Sequence, residues 1–471
     1  MNKLIVLGLS LLVMLISCNK DDSTDAETTN FTTTVVDVDY ESANITWSNP
    51  FSTPGTLYTI TLNGSQVATG ISATTYFFTD LLEDTNYQGE IIAKNGADEL
   101  RATFSFQTDV FNLLTFNGDV ELRSQQEVNE FGANGYQKIT GYLEINGKDS
   151  SITDLSPLID LIEVGENASV INTDITSVAG LNNLKKVGNL GFANNNMLIN
   201  LNELESINSI ERDLVITWHE KLNNIDAVSQ IPNFDGQLNV VGINELTSVN
   251  MFNNHPSIEG ISFQYNPKLT SISGFQNTIS VDYLGFWEND FVTFSLPTLE
   301  IISGDFRIYN NENLINFSLP KIQSIKTISF TDNQSLTDFN GISQLTNLEY
   351  LFVSSNSSLL NIDGLSNINS LKGLHLSGNI SLLNIEGLMN LEIISTERLQ
   401  ITENHKLKSL NGLQNLTAIA LDCRILRNKD LTDLCAITEL VINNGISGEL
   451  EIIQNAYNPT FQDFIDGNCS L

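Results

Sequence analysis

Positive charge is scarce in this chain. Its 471 residues carry 22 Lys plus Arg against 56 Asp plus Glu, a formal net charge of −34. Long-range repulsion from phosphates therefore excludes nucleic acid as a partner. The acid is scattered through turn positions rather than gathered in a tail, which reads as a solubility device. Histidine is almost lacking, with only His219, His255, His375 and His405. None lies in an H-E-x-x-H motif, and there is no G-x-S-x-G and no phosphate-binding loop. Cysteine is limited to Cys18, Cys423, Cys435 and Cys469. With no C-x-x-C and no paired His, neither a metal nor a cofactor is expected. Carboxylates such as Asp363 and Glu386 occupy equivalent repeat positions, so repetition explains them better than catalysis. The expectation is a non-enzyme. The longest apolar run, Leu4 to Ile16, is too short to span a bilayer.

What the chain does have is a repeat, and repeats decide the fold before any local element does. From Ile328 the sequence reads I-S-F-T-D-N-Q-S-L-T-D-F-N-G-I; equivalent lines start at Leu351, Leu374 and Leu399. Extended both ways, the first apolar position falls at Leu143, Ala168, Leu190, Leu214, Leu238, Ile261, Leu284, Phe306, Ile328, Leu351, Leu374, Leu399, Cys423 and Leu450, in steps of 22 to 27 residues. The residue two places on is apolar each time, which predicts a short strand with two inward side chains and one outward between them. Five places after the first position stands Asn, at Asn195, Asn266, Asn289, Asn311, Asn333, Asn356, Asn379, Asn404, Asn428 and Asn455. An amide both donates and accepts, so stacked turns would set these side chains above one another as a ladder. One unit cannot bury its own apolar faces, so about fourteen units must stack on one core, at roughly 4.8 Å per strand.

The pattern L-x-I-x-x-N-x-x-L-x-x-I resembles leucine-rich repeats. It is most similar to the receptor L domain, the ligand-binding solenoid of insulin-type and epidermal-growth-factor-type receptors, and to bacterial surface proteins built from it. The resemblance covers about residues 118–471; Ala168, His219 and Ile243 depart from it. It implies a mainly β fold, with a right-handed parallel β-solenoid over 143–434 between helical end caps.

The start of the chain carries an address. Lys3 precedes the apolar run, which fits residues 1–17 as a secretory signal. Leu15-Ile16-Ser17-Cys18 resembles the lipobox of bacterial lipoproteins, which implies cleavage before Cys18 and lipidation of that residue. Asn19-Lys20-Asp21-Asp22 resembles the surface-export signal of Bacteroidetes lipoproteins, and polar residues up to 30 read as a tether. Residues 31–109 change to alternating short strands, with a hairpin signal at Asn63-Gly64. Leu81-x-x-x-Thr85-x-Tyr87 resembles the tyrosine-corner strand of fibronectin type III domains, and Trp47 matches their buried Trp. Glu83 stands where that family usually has Pro. A sandwich acting as a spacer is implied, with Trp47 and Tyr87 in its core.

Residues 110–142 read as a junction and first cap, with a capping box at Ser124-Gln-Gln-Glu127 opening a short helix. At the far end the repeat fades, and 435–471 reads as the second cap. With Cys18 assigned to lipid and Cys423 at an inward position, an oxidising compartment leaves Cys435 and Cys469 to form a disulfide.

Function follows from this order of parts: a lipid-anchored outer-membrane protein, exposed at the cell surface, binding a protein or glycan through the solenoid. A polysaccharide-degrading solenoid and a purely structural envelope component are the alternatives; the repeat fixes no oligomeric state. Large aromatics collect at outward positions in the middle repeats, at Trp218, Tyr265, Trp287 and Tyr309, with Phe352 further on and Tyr283 and Tyr350 beside them. Exposed apolar area of this kind points to a partner, unless the rings pack on one another.

Overall fold

The computed structural model describes residues 31–471, apart from 53, 111 and 233. The signal segment, Cys18 and the tether lie outside the described residues. The protein is mainly β, and its contacts divide it into two units after Asn112.

The first unit holds two antiparallel sheets. One joins β1 (Thr33–Val38), β2 (Ala43–Trp47) and β5 (Thr75–Phe78) in the order β1-β2-β5; the other joins β3 (Leu57–Leu62), β4 (Ser65–Ile71), β6 (Asn86–Asn95) and β7 (Asp98–Gln107) in the order β4-β3-β6-β7. Alternating residues of both sheets point into one core, where Ile45, Trp47, Tyr58, Ile60, Tyr87, Ile91, Phe104 and Phe106 are buried. Trp47 meets Tyr58 edge to face at 5.3 Å. The Tyr87 hydroxyl accepts the main-chain N–H of Leu82 at 2.8 Å, pinning the turn to the strand that follows it.

The second unit is a stack of short parallel strands consistent with a β-solenoid. Each repeat starts a strand, and each first position pairs with the next: Leu143 with Ala168, Ile261 with Leu284, Ile328 with Leu351, and so on to Cys423 with Leu450. The sheet begins one strand earlier than the repeat suggests, because Val120–Leu122 pairs with Leu143–Asn146. That strand falls inside the stretch expected to be a junction and first cap. Its apolar residues join the same core as all later strands.

The rest of each turn closes the core from the side. Single-turn 3-10 helices such as Asp363–Leu365 and Glu386–Leu388 pack close on their neighbours. Gly364 and Gly387 sit where successive turns nearly touch. A Cβ there would strike the main-chain carbonyls of Phe339 and Ile362, so only glycine permits the spacing.

The ends are covered. Ser124 caps helix Gln125–Gly132 by accepting from the Glu127 N–H, the Glu127 carboxylate accepts from the Arg123 N–H, and Val128 is buried beneath it. At the far end, Cys435 and Cys469 form a disulfide with Cα atoms 4.8 Å apart. Helix Phe461–Ile465 opens with a capping box between Thr460 and Asp463. Cys423 is fully buried and free, and burial pushes its thiol up to about 12.

Candidate ligand-binding face

The ladder of Asn side chains sets the turn that follows every strand. Each ladder Asn is buried. From Asn289 to Asn428, each main-chain N–H donates to the Oδ1 of the next Asn along the stack, at 2.9–3.1 Å. Each Nδ2 donates backwards to the carbonyl of the last inward residue of the preceding strand, as from Asn379 to Val353 at 2.9 Å. The line ends at Asn455, whose N–H donates to Asn458 Oδ1.

The ladder lapses once. His219 takes the Asn place, with Nε2 3.2 Å from the Phe192 carbonyl and Nδ1 3.1 Å from that of Asn195. Ile243 follows and contributes only its N–H, donated to Asn266 Oδ1.

The residue just before the ladder position is left-handed in every turn from Asn172 to Gln454, whatever its side chain. At Trp218 and Tyr265, φ is +58° and +55°. That conformation is unfavourable for a bulky L-residue by roughly 1–2 kcal/mol. It also throws the side chain out over the edge of the sheet. Trp287 and Tyr309 lie one place earlier, on the last outward strand position, and are paired in register.

These rings meet in pairs. Trp218 and Tyr265 stack at 6.0 Å although a whole turn separates them. They reach each other over Gly242, where a Cβ would fall inside the Trp218 ring. Tyr283 and Trp287 stack at 6.0 Å along one strand, with Tyr283 lying over Gly285 in the same manner. Tyr350 and Phe352 stack at 6.1 Å and 8° beside Gly373, where a Cβ would press on the Tyr350 ring. Glycine on the outward face of a strand thus gives each pair a floor on which to lie.

The pairs remain open to solvent. Trp218 is 52% exposed, Tyr265 42% and Tyr309 39%, while Tyr283, Trp287, Tyr350 and Phe352 are half-buried. Burial pushes the Tyr283 phenol up to about 12, against the opposing charge of Arg307. Arg307 itself is held by Asp305. The structure therefore brings Trp287 beside Tyr283 and Tyr309, and Trp218 onto Tyr265. It sets Phe352 apart, three strands further along the sheet, about 14 Å away at the spacing of parallel strands.

Two features of the face were not read from the sequence: the left-handed position and the glycine floors. The signal for the second was present, since Gly242 and Gly285 interrupt strands that otherwise carry side chains. Among the described residues, no group of three or more His, Cys, Asp or Glu is placed to hold a metal ion, and no helix is long and apolar enough to cross a membrane. Compared with known protein families and with curated proteins, the chain matches none.

Proposed function

We propose that this chain is a non-catalytic binding protein anchored at the outer surface of a bacterial outer membrane through lipid on Cys18. The first unit serves as a fibronectin type III-like spacer. The second is a receptor L-domain-like solenoid that recognises a protein or glycan ligand. One observation carries the reading: three stacked aromatic pairs lie partly exposed on one sheet, each beside a glycine that makes room for it. The rings pack on one another, which accounts for part of their apolar area; the part that stays exposed suits stacking on a partner. The spacer assignment is supported by the three-plus-four strand order and by the Tyr87 hydroxyl bond, which suit that sandwich.

The test is an array of glycans and surface proteins probed with the full chain. Trp287→Ala combined with Tyr309→Ala is expected to abolish binding and leave the melting temperature nearly unchanged. A large loss of stability would mark the rings as core and end this reading of the face. The anchor is tested separately: Cys18→Ser is expected to move the protein from the membrane fraction to the soluble fraction, and an unlipidated mature N terminus by mass spectrometry would refute it.

A further inference from the structure

The outward face is not flat throughout. Beside Phe352 it drops into a concavity of about 330 Å³ lined by Phe352, Leu374, His375, Glu397, Arg398 and Gln400, with Leu421 at its rim. It lies on the same sheet as the aromatic pairs, because Phe352, His375 and Gln400 are neighbours in one outward row. Gly373 carries no side chain at the strand position before Leu374, and the Glu397 side chain packs over it from the next turn, which sets Glu397 on the lining. That next turn steps 25 residues from Leu374 to Leu399, longer than the two before it, and the extra length brings Glu397 and Arg398 to the edge.

The chemistry of the lining is mixed in a particular way. Phe352 stands edge to face with His375 at 6.5 Å and parallel to Tyr350, so its ring is held in place. Leu421 is exposed and adds a second apolar surface. Glu397 offers a carboxylate and Arg398 a guanidinium. Both side chains are exposed, and neither forms a salt bridge among the described residues. Gln400 offers an amide. Burial and the neighbouring Arg398 hold the His375 imidazole below its ordinary pKa, so it stays neutral and offers one donor and one acceptor. Its Nε2 is buried and has no hydrogen-bond partner among the described residues, so that atom lies beneath the lining.

We infer that this concavity is a subsite for a single neutral sugar unit, held by Phe352 and Leu421 on its C–H faces and by Glu397, Arg398 and Gln400 on its hydroxyls. The inference rests on the binding-protein reading above and narrows its ligand to a glycan. A volume near the lower end of roughly 300–1,000 Å³ suits one ring rather than a peptide segment. A carboxylate beside a guanidinium suits hydroxyls, which both donate and accept. A carboxylated sugar would meet Glu397 and the net charge of −34. The spacing of about 4.8 Å between strands is close to the length of one unit in an extended β-linked chain. A glycan running along the sheet could therefore reach from this subsite towards Trp287.

The experiment uses the full chain with two probe sets: neutral β-linked gluco-, manno- and xylo-oligosaccharides from disaccharide to hexasaccharide, and a surface-protein array. Binding of a neutral oligosaccharide is expected. Phe352→Ala and Glu397→Gln are each expected to weaken it about tenfold or more. Glu144→Gln, which removes the same charge at the far end of the sheet, is expected to leave it unchanged. Glu397 is exposed, so its variant keeps the test valid if Phe352→Ala disturbs folding. Oligosaccharide binding that survives both substitutions overturns the subsite, and the aromatic face is then judged by its own variants. Binding of a protein and of no sugar overturns the subsite while the binding-protein reading stands. Binding of nothing on either panel overturns both.

Discussion

The N–H of Asn333 donates to the side-chain oxygen of Asn356 at 3.0 Å, and the Asn356 amide donates in turn to the carbonyls of Phe330 and Ser354 at 3.0 Å each. One buried side chain thus serves groups in two turns. Asn356→Ala would leave a main-chain N–H and two carbonyls without these partners, and buried unmade hydrogen bonds cost about 1–3 kcal/mol each. Asn379→Ala is expected to behave alike. Asn367 is exposed and makes one bond, to the Ser343 carbonyl, so Asn367→Ala is expected to change little. Chemical denaturation of the three variants checks this; equal, negligible effects would mean that the turns are solvated.

The terminal cap offers a second test. The Cys435–Cys469 bond closes 34 residues. Its loss by Cys469→Ser, or by reduction, is expected to lower stability by about 2–5 kcal/mol. In a stack held by nearest neighbours, the loss would show first as local opening of the last turns. Hydrogen exchange would detect it near Leu431 and Leu434 before Leu143. Cys423 is buried with its thiol pushed up, so a thiol reagent at pH 8 is expected to leave Cys423 unlabelled until the chain is unfolded. Rapid labelling of Cys423 in the native protein would refute this.

Stability should also respond to mild acid. Burial holds the pKa of His219, His255 and His375 below the ordinary imidazole value; at His219 the Asn195 and Phe192 carbonyls oppose it only in part. An unfolded chain takes up these protons near pH 6.5. Below that pH the unfolded state binds more protons than the folded one, so acid favours unfolding. Full stability is therefore expected above about pH 6.5 and a progressive loss beneath it. The melting temperature should be lower at pH 5.5 than at pH 7.5, a window that lies above the carboxylate range. His219→Asn should flatten part of that slope. A melting temperature that is level or rising towards pH 5.5 would overturn the assignment.

The glycine floors can be tested without a ligand. A Cβ at Gly285 would collide with the Tyr283 ring, which would have to leave its place against Trp287. Gly285→Ala is expected to shift the Trp287 share of the fluorescence spectrum and raise its quenching by acrylamide. The fold should persist, because Tyr283 is only half-buried and free to move outward. An unchanged spectrum would mean that the ring does not rest there.

The register of the stack was legible because inward positions repeat two apart and Asn marks most turns. Val120–Leu122 escaped notice since no Asn stands five places on; Gln125 occupies that position and opens a helix. The left-handed residue could not be read from residue type, because Asn172, Trp218, Glu288, Gly378 and Arg427 all adopt it. There the stacked turns impose the backbone, with or without an amide at the next position, and local propensity yields. The aromatic residues were legible singly, but not their pairing. Trp218 reaches Tyr265 only by leaning across Gly242, a contact that needs two neighbouring turns to be known together.

The ladder has a direction. Every main-chain N–H in it points towards the C-terminal end and every side-chain oxygen receives from the N-terminal side, while the Nδ2 groups also reach back. The two ends of the line are consequently unequal. Removing turns from its beginning leaves an oxygen with less to accept and takes one carbonyl from the first remaining Nδ2, which keeps its other acceptors, as Asn356 keeps Ser354 and Asn379. Removing turns from its end strands a buried N–H, which proteins rarely permit. Asn458 supplies the terminating acceptor. An ancestor or an engineered variant shortened from the front would have to keep the cap of Val120–Leu122 and helix Gln125–Gly132, and one shortened from the rear would also have to carry Asn458 forward to supply the last acceptor.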